Sequence, residues 1–167
     1  NGGIDIPEFP IVFIKHTSCF VGPNANVEMR SDFVDYEADL VVVIGKEGKD
    51  IKKEDVWEHV AVMCIGQDIS DRPAQFATQP PMFNLGKSFD TYGPMGPYLV
   101  SPDYLDDCKS LDLECKLNGK TMQQYHTNDL IFDVPTIISY LSEIVTLKLV
   151  YTIWTDKPAG VGSTQEI

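Results

Sequence analysis

Residues 34–46 read VDYEADLVVVIGK, and the order of side chains in this stretch decides how the rest of the chain is read. Val, Ile and Tyr favour a strand, and Gly45 ahead of the polar run after it marks the end. Side chains alternate across a strand, which predicts Tyr36, Ala38, Leu40, Val42 and Ile44 on one face. Asp35, Glu37 and Asp39 take the other, followed by Val41 and Val43. That second face begins acidic and ends apolar, so its carboxylates are expected at the mouth of a buried region. They repel one another there unless something positive joins them. Taken by itself, a row of acids on a half-buried strand is more often a solvated face.

The 167 residues suffice for one domain with a proper core, and a composition of 43% hydrophobic and 23% charged residues is globular. A net charge of −12 argues against a nucleic-acid partner, because phosphate neutralisation needs basic clusters and the chain has none. The same charge favours a divalent cation. No apolar run approaches a membrane-spanning length, and the chain does not open on a signal segment, so no membrane partner is expected. Cys19, Cys64, Cys108 and Cys115 form no CxxC pair. Cys64 and Cys115 sit in apolar strand-like runs, so a reducing compartment is expected. The cytoplasm satisfies this, as does the mitochondrial matrix if a transit segment belongs to the natural protein.

Working outward, FPIVFIK (9–15) reads as a strand, and the residues from His16 to Asp32 as irregular. Asp50 or Lys52 to Glu58 reads as a short helix with Glu54 and Asp55 in its first turn. VAVMCIGQDIS returns to a buried strand. Residues 70–87 carry three prolines and no clear period, which predicts a long ordered loop of the kind that usually has a function. A short strand is expected near Tyr98 to Val100. Asn118-Gly119 between alternating segments is the strongest hairpin signal in the chain. Asp133 is placed to cap a helix from Val134 to Ile144 with Pro135 in its first turn, and VYTIWT (150–155) forms a last strand before a glycine-rich turn. The result is mostly β with short helices, an α+β fold.

Asp68 ends the buried strand that precedes the long loop, Arg72 and Gln75 lie on that loop, and Lys87 stands at its far end. Magnesium and manganese prefer hard oxygen ligands, usually a few carboxylates with positions left for substrate, and Glu37, Asp39 and Asp68 supply such a set. Lys87 and Arg72 offer charge to a substrate carboxylate or a developing oxyanion. Each residue also has a plainer reading: Asp68 as a turn acid, Arg72 in a structural bridge with Asp71 or Asp68, Lys87 on the surface.

Order and spacing favour the functional reading. The succession E-x-D, GQDISDR-x-x-Q, GKSFDTYGPMGP, LNG-x-x-x-Q-x-x-x-T-x-x-LIF, P-x-x-I-x-Y-x-S and P-x-GVG resembles the fumarylacetoacetate hydrolase family over nearly the whole chain. The resemblance implies that family's catalytic domain, a roll of mixed β-sheets over residues 1–167, assembled as a homodimer. It places metal acids at Glu37, Asp39 and Asp68, for Mg2+ or Mn2+, and substrate or oxyanion contacts at Arg72, Gln75 and Lys87, with Thr155 beside the substrate. The implied substrates are 2-oxo and β-diketo acids. They are cleaved as acylpyruvates, or decarboxylated or isomerised as oxaloacetate is, through a metal-chelated enolate.

Several positions depart from that pattern. The second metal acid is the shorter Asp39 where the family usually has Glu. Hydrolytic members activate water with a His–Glu pair on an N-terminal lid, and the nine residues before Pro10 contain no histidine, so a domain without the lid is expected. His16 is the candidate substitute base, with His126 weaker and His59 structural. Pro73 stands where an aspartate is common, and Asp156 and Lys157 replace small residues next to Thr155. A metal-dependent hydrolase or lyase is the leading expectation, against a decarboxylase or tautomerase, or a non-catalytic relative that keeps the fold and the metal.

Overall fold

The computed structural model describes residues 7–155. In chain order the strands are β1 (Phe20–Val21), β2 (Val34–Asp35), β3 (Ala38–Ile44), β4 (Val60–Gln67), β5 (Ser70–Asp71), β6 (Gly93–Pro94), β7 (Asp112–Leu117), β8 (Lys120–His126) and β9 (Thr152–Trp154). Three α-helical segments accompany them: α1 (Arg72–Gln75), α2 (Phe83–Gly86) and α3 (Val134–Ile144). The central sheet has the antiparallel order β4-β3-β9, beside the β7–β8 hairpin. Two short ladders complete the fold, β2–β5 antiparallel and β1–β6 parallel, so the sheets are mixed as expected.

The alternation predicted for this strand is realised within β3, over residues 38–44. Leu40, Val42 and Ile44 of β3 enter one core with Met63, Leu113, Tyr125, Ile138 and Ile153. The opposite face is equally dry, with Asp39 at 1% exposure and Val41 at 0%. The acids therefore do not stand at a wet mouth; they are enclosed. Asn118 and Gly119 take φ values of 52° and 81° at the β7–β8 turn, the positive pair that a tight two-residue hairpin requires. The Asp133 side chain accepts from the Thr136 amide at 2.9 Å and starts α3 where its sequence signal stood.

Other expectations give way. Residues 9–15 form no strand, and among the described residues no backbone pairs with them. Side chains hold the end of the segment instead: Ile14 N donates to Asn84 Oδ1 and His16 N, two residues on, to Ser88 Oγ, both at 3.0 Å. The helix expected from residue 50 or 52 is a 3-10 helix, Lys53–His59. The acidic strand is broken at Tyr36-Glu37 into β2 and β3. The loop 70–87 contains β5 and the single-turn helices α1 and α2, and near Tyr98–Val100 only a Met63–Val100 bridge forms. The last strand shortens to β9, and the glycine-rich turn with Asp156 and Lys157 lies outside the described residues.

Gly66 faces Asp39 across the β3–β4 ladder. A Cβ there would come within 2.4 Å of a Trp154 ring carbon and 2.6 Å of a Val41 methyl. Gly66→Ala should therefore destabilise the domain by about 1–3 kcal/mol through overpacking, read as a lower urea midpoint with unchanged slope.

Candidate functional site

The β3–β4 ladder brings the acids together. Ala38 pairs with Gln67, and the ladder runs one step further as Asp68 N donates to Glu37 O at 2.7 Å. Glu37 and Asp68, distant in sequence, thus become neighbours. Glu37, Asp39 and Asp68 are 5%, 1% and 0% exposed. Carboxylates so dry are tolerated only with compensating charge.

Two lysines supply it. Lys87, at the C-cap of α2, places its ammonium 3.1 Å from Glu37 Oε1 and in close contact with Asp68 Oδ2. Lys15 takes the other oxygen, with Nζ 2.6 Å from Asp68 Oδ1, and also donates to the carbonyls of Lys87 and of Tyr92. The Phe13 ring lies 4.6 Å beneath Lys87 Nζ, and Trp154 lies 5.6 Å from Lys15 Nζ. Burial by itself disfavours a charged Lys87. The charges and hydrogen bonds of Glu37 and Asp68 outweigh burial and raise its pKa above the ordinary lysine value of 10.5. Lys87 is therefore an ammonium at neutral pH, suited to donating to an oxyanion and unsuited to acting as a base.

A third cation stands beside the two lysines. The Asp71 side chain accepts from Ala74 N at 2.9 Å and caps α1, and Ser31 Oγ donates to the other Asp71 oxygen at 2.7 Å. One helical turn then sets Arg72 and Gln75 side by side, and Arg72 Nη1 donates to Gln75 Oε1 at 2.8 Å. Gly86 lets α2 press on this turn; a Cβ there would meet Gln75 Cγ at 2.5 Å. Arg72 Nη2 reaches Asp35 Oδ2 at 2.5 Å and Glu37 Oε2 at 3.4 Å.

Five of the seven predicted residues, Glu37, Asp68, Arg72, Gln75 and Lys87, thus form one connected cluster. Asp39 is buried one step along the same strand face. Thr155 is fully buried, but its amide and hydroxyl both donate to Leu40 O, at 3.0 and 3.1 Å, so its polar groups are committed to β3. Arg72 pairs with Asp35 and Glu37, and not with Asp71 or Asp68 as its plain reading had it. Lys15 and Asp35 were not among the predicted site residues. The signal for Asp35 was its place on the acidic face; Lys15 carried none, because the irregular path of residues 9–15 is what delivers it. His16 lines an adjacent cleft of about 560 Å3 together with Ser18, Ala74, Leu85, Ser88 and Phe89. His59 Nδ1 bonds Lys46 O, and the His126 ring accepts from Asn128 N, both local structural roles.

Three buried carboxylates are the donor chemistry a hard divalent ion prefers, and Glu37 and Asp68 already share one cationic group, the Lys87 ammonium. The fit is one of donor type: among the described residues no three acidic, His or Cys side chains converge closely enough to hold an ion as they stand.

Residues 2–166 match the family described as fumarylacetoacetate (FAA) hydrolase C-terminal, and the chain belongs to it. The chain is 40% identical over 161 residues to the oxaloacetate tautomerase FAHD2A, mitochondrial, of Bos taurus, covering 95% of this chain and 51% of that protein. Its fold is that of the 5-carboxymethyl-2-hydroxymuconate delta-isomerase from Mycobacterium smegmatis (TM-score 0.87, 31% identity, 93% of this chain and 61% of that one). It is similar also to a fumarylpyruvate hydrolase from Pseudomonas aeruginosa in complex with Mn2+ and pyruvate (TM-score 0.80, 28% identity, 89% and 66%). The chain spans about half the length of the curated relatives it matches.

Lys87→Met removes the group that joins two buried carboxylates. It should cost about 3–5 kcal/mol of unfolding free energy, measured by urea titration. A loss under about 1 kcal/mol would show that Glu37 and Asp68 do not depend on it.

Proposed function

We propose that this domain is the catalytic part of an enzyme that uses Mg2+ or Mn2+ to act on a 2-oxo acid, with keto–enol tautomerisation of an oxaloacetate-type substrate as the principal reading. The observation that carries it is the buried ammonium of Lys87 on Glu37 and Asp68, set next to the Arg72–Gln75 pair. The named activity of the tautomerase relatives supports the choice of reaction.

In this reading Glu37, Asp39 and Asp68 hold the ion. When bound, it supplies Lewis-acid polarisation of the substrate's oxygens. The remaining chemistry belongs to side chains. Arg72 and Gln75 present N–H donors to a substrate carboxylate and fix its orientation. Lys87 donates to the C2 oxygen while a solvent water accepts the C3 proton and the C–H electron pair becomes the C2–C3 double bond. Negative charge thus gathers on the oxygen beside a fixed ammonium, and the return of that proton to C3 regenerates the keto form. Dry walls strengthen that interaction, since Lys87 and Asp68 are nearly inaccessible to solvent. Tautomerisation consumes no water and needs no base dedicated to activating it.

A second reading, hydrolysis of a carbon–carbon bond in an acylpyruvate, is favoured by His16, an imidazole lining the adjacent cleft. His16→Ala separates the two: it should leave tautomerisation within about threefold and remove hydrolysis by the ~10²-fold or more typical of a lost general base.

The principal test is ultraviolet measurement of oxaloacetate enol loss with Mn2+ and with chelator, alongside calorimetric Mn2+ titration. Glu37→Gln should abolish metal affinity, and Lys87→Met should lower kcat by about 10²–10³. Mn2+ binding without turnover of any 2-oxo acid would instead assign the domain a binding or assembly role. We propose a homodimer as well, supported by the broad exposure of Tyr98, Leu99 and Tyr104, with light scattering as the check. The relatives named as mitochondrial support a mitochondrial location over the cytoplasm.

A further inference from the structure

The site as described leaves Asp35 without a role, although it is 7% exposed and lies against Arg72. We propose that Asp35 is a positioning residue that holds the Arg72 guanidinium back to a long 3.4 Å contact with Glu37, so that Glu37 can serve the divalent ion and the outer edge of the guanidinium the substrate's carboxylate. This rests on the functional reading above.

The geometry is built into the backbone. β2 and β5 pair over two residues, Val34 with Asp71 and Asp35 with Ser70, and Arg72 N extends the ladder to Phe33 O at 3.3 Å. So short a ladder adds little stability as a sheet. What it does is place Asp35 against the residue that follows β5. Arg72 Nε donates to Asp35 Oδ2 at 2.9 Å and Nη2 to the same oxygen at 2.5 Å, whereas Nη2 lies 3.4 Å from Glu37 Oε2. Gln75 takes one Nη1 hydrogen. Of five guanidinium N–H groups, one on Nη1 has no acceptor among the described residues, and the side chain keeps 17% exposure.

Arg72 thus has two anions within reach and is held by the nearer. Without the Asp35 charge, Glu37 becomes its strongest partner. A guanidinium drawn onto Glu37 would compete for the same oxygens as a divalent ion and would turn its open edge away from substrate. Asp35 therefore governs metal affinity without touching the metal. A carboxylate that merely filled space would not.

The test compares wild type, Asp35→Asn, Arg72→Gln and the double variant by Mn2+ titration and by oxaloacetate kinetics. Asp35→Asn should weaken Mn2+ binding tenfold or more and raise KM. Arg72→Gln should raise KM while leaving Mn2+ affinity within threefold of wild type. The double variant should match Arg72→Gln in both, because with the guanidinium gone Asp35 has nothing to position. Recovery of Mn2+ affinity in the double variant is the outcome a structural role cannot produce. If Asp35→Asn does not fold, the double variant against Arg72→Gln decides alone, and a further tenfold loss in the double overturns the inference. Asp35→Asn with wild-type Mn2+ affinity overturns it too, while leaving the functional reading intact. A wild-type protein that neither binds Mn2+ nor turns over oxaloacetate overturns both.

Discussion

Charge compensation inside a dry space is the constraint on which this domain turns. Asp35, Glu37 and Asp68 are each more than nine-tenths buried, and removing such groups from water costs several kcal/mol apiece unless they are paired. Lys15, Lys87 and Arg72 answer that need, and each comes from a different part of the chain. The acids lie on β2, beside β3 and just past β4; the cations come from the irregular N-terminal segment, α1 and the end of α2. None of these short elements has much intrinsic stability. The cluster ties them together, so the same contacts that shape the site also hold the fold around it.

The central sheet makes this feasible because it is rigid on both faces. One face of β3 packs the main core, and the other is closed by Gly66 and Trp154 against Val41. An acidic strand end anchored this way cannot drift toward solvent to relieve its charge. The strain of burial is met by bringing cations in. A low-dielectric environment with a fixed ammonium is also the setting that the proposed reaction through an enolate would require.

Proteins bearing the names of an isomerase and a hydrolase share this fold, and one named a tautomerase matches the chain in sequence. One fold thus carries several named reactions, so the reaction is set by the residues around the clustered acids. In this chain residues 13–16 stand there, contributing Phe13 under Lys87, Lys15 on Asp68 and His16 in the cleft. A general base, where hydrolysis needs one, has to come from such a covering segment.

Much of this was legible in the residues alone. The hairpin at Asn118-Gly119, the cap at Asp133 and the core face of β3 follow from local rules, because turn geometry, capping and alternation act over a few residues. Motif order carried the family and singled out five residues that the structure brings into contact. Alternation also grouped Asp35 with Glu37 and Asp39, but which cation would meet which acid depends on ladders between segments more than thirty residues apart. Lys15 shows the limit most clearly. An apolar run ending in lysine looks like a strand, and nothing in its local chemistry says that it lacks a partner and bends over the acids. Strand pairing is a contest among all available edges, so only the assembled tertiary structure decided that Lys15 would close the site and that Asp35 would hold Arg72.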